Sequence, residues 1–159
     1  MREIRMAEAG GDLGAYSAPV VMREGPFAGW MTWGNGSDPF ETHAGPFYFR
    51  KQDDGRYSAA FQPEPRHLNG GGALHGGLLM TFADFSLFAL AFDAMTGVHG
   101  VTLTFNSEFV GAGDLDGWVE AQGAVIRRAR SVVFVQGQLL QRARPLLAFS
   151  GTIKILPAR

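Results

Sequence analysis

From Leu78 to Phe92 the sequence reads LLMTFADFSLFALAF, and as a helix it places apolar side chains on every face. A helix of that kind must be covered nearly all round rather than laid on a surface. The run is too short to span a bilayer, and Asp84 interrupts it. A curved sheet wrapped around the helix answers the demand, so this stretch sets the architecture that the flanking segments have to build.

The flanks read as strands. Residues 47–52 and 56–61 alternate around Asp53-Asp54-Gly55, and Asp-Gly supplies the positive φ angles of a hairpin turn. Beyond the helix, Val101 to Phe109 alternates with apolar residues on the odd positions except Ser107. Residues 118–127, 132–140 and 146–156 follow as strands, the last two joined by a turn over residues 141–145. Five or six antiparallel strands around one long central helix define an α+β fold. Residues 1–38 read as a loosely structured, aromatic-rich N-terminal extension, with at most one short helix before residue 26, and residues 39–159 as the folded domain. Phe27, Trp30, Met31, Trp33, Phe40 and Phe47 are interleaved with glycine and proline, which argues against a long element there. These aromatics either pack outside the sheet or at a subunit contact, or they form a lid over the site.

Charge and composition exclude several functions. A net charge of −1 gives no electrostatic basis for binding nucleic acid or an anionic membrane. The absence of cysteine removes disulfides, thiolate zinc sites and a cysteine nucleophile. The four histidines lack metal-ligand spacing, so no metal is expected; His43 and His99 read as surface or loop residues. Met1 to Gly14 has no apolar signal core, and a cytoplasmic location is the expectation.

The chemistry gathers just before the helix, in His67-Leu68-Asn69-Gly70-Gly71-Gly72-Ala73-Leu74-His75-Gly76-Gly77. A glycine-rich loop opening onto a helix exposes unpaired N–H groups at the positive end of the helix dipole. Asp84, on an otherwise apolar run, is costly unless it is paired, hydrated or used. The bland alternative is an Asp84 that points outward or is satisfied by Thr81, Ser86 or a backbone donor. Gly76 and Asp84 lie eight residues apart, roughly 12 Å along one helix at about 1.5 Å per residue. An oxyanion donor and a base must both come within about 3 Å of one reacting group. Two antiparallel helices from two subunits can satisfy this, so a homodimer with two shared sites is expected.

The spaced set His67-x-Asn69-x-x-Gly72-x-x-His75-Gly76-Gly77 followed by Asp84 resembles the hotdog-fold acyl-CoA thioesterases, in particular their phenylacetate-pathway (PaaI-like) branch. The likeness extends more loosely from Pro39 to Leu156. It implies an antiparallel sheet around a central helix, dimers paired edge to edge, and assembly as a dimer of dimers. It also implies that Asp84 is the nucleophile or activates water and that the Gly76 N–H polarises the thioester carbonyl. His75 then orients the loop, and Asn69 helps position water or substrate on the subunit opposite Asp84. Thr102 is the hydroxyl near the acid, and Gly77 lies beside the substrate. Phe82, with Phe85 and Phe88, lines an aryl or medium-chain pocket or is plain core. Arg128 and Arg130 fall at a basic turn suited to coenzyme A phosphates, with Arg127, Arg142 and Arg144 as further candidates; solvated turn charges are the simpler reading of each. No cofactor is implied, since coenzyme A belongs to the substrate. A hotdog enoyl-CoA hydratase or dehydratase, and a non-catalytic acyl-CoA-binding module, are the alternatives.

Overall fold

The computed structural model describes residues 18–34 and 38–157. Residues 1–17, which include most of the stretch where a short helix was allowed for, lie outside the described residues. The central helix α2 spans Gly76–Leu90. It starts two residues before the apolar run because His75 caps it, and Ala91 closes it. Leu79, Phe82, Ala83, Phe85, Ser86, Leu87, Ala89 and Leu90 are buried. Among the described residues no helix is long and apolar enough to cross a membrane.

One antiparallel sheet provides the cover. Its strands are β1 (Val20–Val21), β2 (Met31–Thr32), β3 (Tyr48–Lys51), β4 (Tyr57–Phe61), β5 (Gly100–Phe109), β6 (Val119–Arg128), β7 (Val132–Gln141) and β8 (Arg144–Ile155). They lie in the order β1-β2-β3-β4-β6-β7-β8-β5. Eight strands replace the expected five or six. The six long ones match the sequence pattern, and the other two come from the N-terminal segment. A two-residue strand among glycines and prolines has no alternation to read, so periodicity misses it. The sheet curves closely on the helix: at Gly151 of β8 a Cβ would collide with Leu87.

The aromatic segment divides between the two faces of the sheet. Phe27 stacks on Tyr48 at 4.1 Å and on Trp118 at 4.5 Å between ring centroids, with Trp30 edge-on to Phe27 and Trp118. This cluster covers Ala60 on the face away from α2. Trp33 turns to the helix side, stacks on Phe49 at 4.4 Å and meets Phe85 edge-on. Between β2 and β3 a short helix α1 (Pro39–Ala44) starts at Asp38, whose Oδ1 accepts the Glu41 N–H at 2.9 Å. Phe47, just after α1, packs on Phe82 and Phe85, so α1 sits over the middle of α2.

Candidate active site

The glycine-rich loop is held from several sides. Arg66 donates to the carbonyls of His43 and Gly45, tying the loop to the end of α1. His67 is buried; its Nδ1 accepts the Glu64 N–H at 3.0 Å and its ring meets Phe61 edge-on. Burial first, and the Arg66 charge second, hold its pKa below the usual imidazole value, so it is a neutral structural residue. The Asn69 Oδ1 accepts from Gly71 N–H at 2.9 Å and Ala73 N–H at 3.2 Å, which closes the turn. Gly72 completes it with φ +82°, a region open to glycine. Asn69 itself is exposed.

At the mouth of α2 the amides are unequally used. The His75 N–H donates to the His67 carbonyl at 2.8 Å. The His75 Nδ1 accepts the Gly77 N–H at 2.9 Å, which puts the ring hydrogen of a neutral imidazole on Nε2. The Gly76 N–H has no acceptor among the described residues. A helix start with one amide capped and the one before it open is an anion or oxyanion donor of defined direction. The phenyl ring of Phe109, at the end of β5, leans on this glycine.

Asp84 is half-buried in the middle of α2, and its Oδ1 accepts a hydrogen bond of 2.7 Å from Thr102 Oγ1. Strict alternation along β5, with odd residues inward, would have turned Thr102 away from the helix. A β-bulge resolves this. Thr102 pairs with Ile153 and Thr104 with Thr152, leaving Leu103 as the extra residue. Before the bulge the even residue Thr102 faces α2, and after it the odd residue Phe105 does. The bulge thus aims a hydroxyl at the carboxylate while keeping the rest of the strand in register.

A second carboxyl stands in the same neighbourhood. Glu41 of α1 has a buried Oε2 with no hydrogen-bond partner among the described residues. Burial, then the charges of Asp38 and Asp84, push its pKa up to about 8. Nothing in its sequence setting, an acid in a proline- and aromatic-rich segment, points to this.

The remaining expected residues fall as follows. Phe82 is fully buried among Phe47, Phe61 and Phe85, a core position behind Asp84. Arg128 pairs with Val133, which pairs with Ile153, which pairs with Thr102, so it shares one cross-strand row with the site hydroxyl. Its Nε donates to the Ala94 carbonyl at 2.8 Å, at the far end of α2 from Gly76. Arg130 is exposed on the adjoining turn. Arg142 is engaged with Asp114 and Asp116, and Arg144 lies 3.7 Å from Asp114, so these two serve their own turn. Within one chain, then, Asp84 and Thr102 come together, and Asn69, His75, Gly76 and Gly77 come together. The two groups remain apart along α2.

A long helix wrapped by a single antiparallel sheet, opened at its N-terminus by a glycine-rich loop and carrying one acid at its middle, defines a hotdog fold. Residues 71–148 match the family model of the thioesterase superfamily. That match spans 78 of the chain's 159 residues, and over this stretch the chain is similar to that superfamily. A candidate esterase of Pseudomonas aeruginosa is 29% identical over 120 residues, covering 75% of this chain and 90% of that protein. Among solved structures, a point mutant of the phenylacetic acid degradation protein PaaI of Thermus thermophilus is 25% identical. It aligns with a TM-score of 0.63 over 75% of this chain and 100% of that one. A hypothetical thioesterase protein of Streptococcus pneumoniae, solved with coenzyme A, has the same fold. It is 22% identical, with a TM-score of 0.65 over 74% of this chain and 92% of that one.

Proposed function

We propose that the protein hydrolyses an acyl- or aryl-CoA to the free acid and coenzyme A, at two equivalent sites shared across a homodimer. The observation that carries the reading is the hydroxyl-anchored carboxylate of Asp84 on an otherwise apolar helix. The match to the thioesterase superfamily model and the coenzyme A held by the Streptococcus pneumoniae protein support the substrate class. In the general-base form, Asp84 takes a proton from water as its oxygen attacks the thioester carbonyl carbon. The carbonyl oxygen gathers negative charge against the open Gly76 N–H of the other subunit. Collapse breaks the C–S bond, and the thiolate leaves and recovers the proton. In the nucleophilic form, Asp84 attacks first and water then cleaves the mixed anhydride. A thioester is reactive enough for a carboxylate and one oriented amide to suffice. His75 fixes the loop by occupying Gly77, and the free amide of Asn69 orients water or substrate. Arg128 and Arg130 flank the mouth where coenzyme A phosphates would lie.

The edge of the sheet supports the dimer. Among the described residues β5 is bonded to β8 alone, and its Val101 and Leu103 are exposed. An apolar, unpaired ten-residue edge invites a second copy. β5 carries Thr102 near one end and Phe109, against Gly76, at the other. Antiparallel pairing about the strand's midpoint sets the carboxylate end of one protomer beside the amide end of its partner. Such dimers could pair again across the sheet, and we assign residues 39–159 as the thioesterase domain of a cytoplasmic enzyme with residues 1–38 as its extension.

A thiol-release assay over a panel of acyl-CoAs tests the reading. Asp84→Asn should lower the rate at least about a hundredfold, within the range for an essential catalytic group. Retention of most activity by that variant would remove Asp84 from the mechanism. Hydration of an enoyl-CoA without thiol release would instead mark a hydratase, and tight acyl-CoA binding without turnover a binding module.

A further inference from the structure

The exposed ring of Phe109 has no part in the chemistry above. A single exposed phenyl needs no explanation in itself, but what this one touches does. A Cβ placed on Gly76 would lie 3.1 Å from both Cε1 and Cζ of Phe109 and 4.0 Å from Cδ1. The outer edge of the ring therefore lies against the residue whose N–H is open, while Phe109 as a residue stays 54% exposed. Gly76 opens α2 and Phe109 ends β5, so the contact spans 33 positions of sequence and depends on the tertiary fold.

We infer that Phe109 is the apolar wall of the thioester site, shielding the Gly76 amide from bulk water and packing against the apolar part of the acyl thioester beside the reacting carbonyl. The inference rests on the thioesterase reading. An N–H···O⁻ interaction strengthens as local water is excluded, because the effective dielectric falls. Water competing for an open helix amide has the opposite effect. A phenyl edge against the α-carbon removes one direction of approach and leaves the N–H itself clear. The exposed remainder of the ring is the surface an acyl-CoA would cover. A side chain at position 76 would press on the ring and shift it by a few tenths of an ångström.

Two variants and their combination test this by steady-state thiol release. Phe109→Ala should lower kcat about tenfold or more, less than the loss on removing an oxyanion donor outright, and should raise KM most for the bulkier acyl groups. Gly76→Ala should be impaired because its methyl meets the ring. In the Phe109→Ala background that methyl has room, so the double variant should be no worse than Phe109→Ala alone, a non-additive pair. Circular dichroism and oligomeric mass should match the parent. If Phe109→Ala fails to fold, Phe109→Leu serves, because it withdraws the ring edge yet keeps an apolar side chain; a loss of about threefold or more in kcat is expected. Parent-like kcat and acyl preference in the folded variant, or additive losses in the pair, would overturn the wall while leaving the thioesterase reading intact. A parent that releases thiol from no acyl-CoA would overturn both.

Discussion

The two acids near the middle of α2 are in opposite situations. Asp84 has a hydroxyl donor in Thr102, whereas the Glu41 Oε2 is buried with no hydrogen-bond partner among the described residues. With its pKa raised from 4.5 to about 8, Glu41 keeps its proton in the folded protein over a range where the unfolded chain has lost it. Between those two values the native state binds more protons, so stability falls as pH rises from about 4.5 to about 8 and levels off above. Glu41→Gln cannot ionise and should remove that fall. Its melting temperature, followed by circular dichroism from about pH 5 to pH 8.5, should decline less than the parent's and exceed it at the alkaline end. Parallel profiles would show that Glu41 is not held neutral. Asp84 stood out in the sequence because it breaks an apolar run. Glu41 did not, because its burial is created by α1 folding onto α2, and no local pattern encodes that.

Among the elements, β5 carries the largest difference between pattern and structure. Its odd-position alternation was legible and correct for Phe105 and Phe109, yet Thr102 reaches Asp84 through a bulge that alternation cannot reveal. The all-round apolar helix and the Asp-Gly hairpin were equally plain, since each follows from local chemistry. The tight β7–β8 turn was legible as a turn but not as a strained one. Arg142 and Ala143 connect the paired residues Gln141 and Arg144, with φ of 50° and 62°. Two non-glycine residues in the left-handed region cost roughly 1–2 kcal/mol each. The ion pairs of Arg142 with Asp114 and Asp116 hold the turn, as does Gln141, buried and bonded to Asp114 and Gly117. Ala143→Gly should therefore stabilise the protein by about 1 kcal/mol, raising its melting temperature by roughly 2–4 °C. An unchanged or lowered midpoint would mean that the turn is not strained.

For the whole molecule, the sequence carried the argument for the proposed dimer more clearly than the reason for eight strands. Gly76 and Asp84 cannot converge along one helix, and the unpaired apolar edge of β5 is where a second helix can be brought alongside. The strands added by residues 20–32 were illegible because they join the rest of the sheet through one register contact, between Met31 and Phe49, which depends on the finished sheet. The shared site is the central claim, and complementation between two inactive variants tests it most directly. One is Asp84→Asn. The other is Gly76→Pro, which deletes the amide hydrogen at the first position of the helix and pushes the Phe109 ring aside, after a His75 already in the extended conformation required, φ −66° and ψ 131°. Co-expressed with different tags and isolated as the doubly tagged heterodimer, the pair holds one doubly defective site and one intact site. Thiol release at about half the parental rate per dimer is predicted, with each homodimer inactive. A doubly tagged heterodimer as inactive as its parents would contradict the shared site.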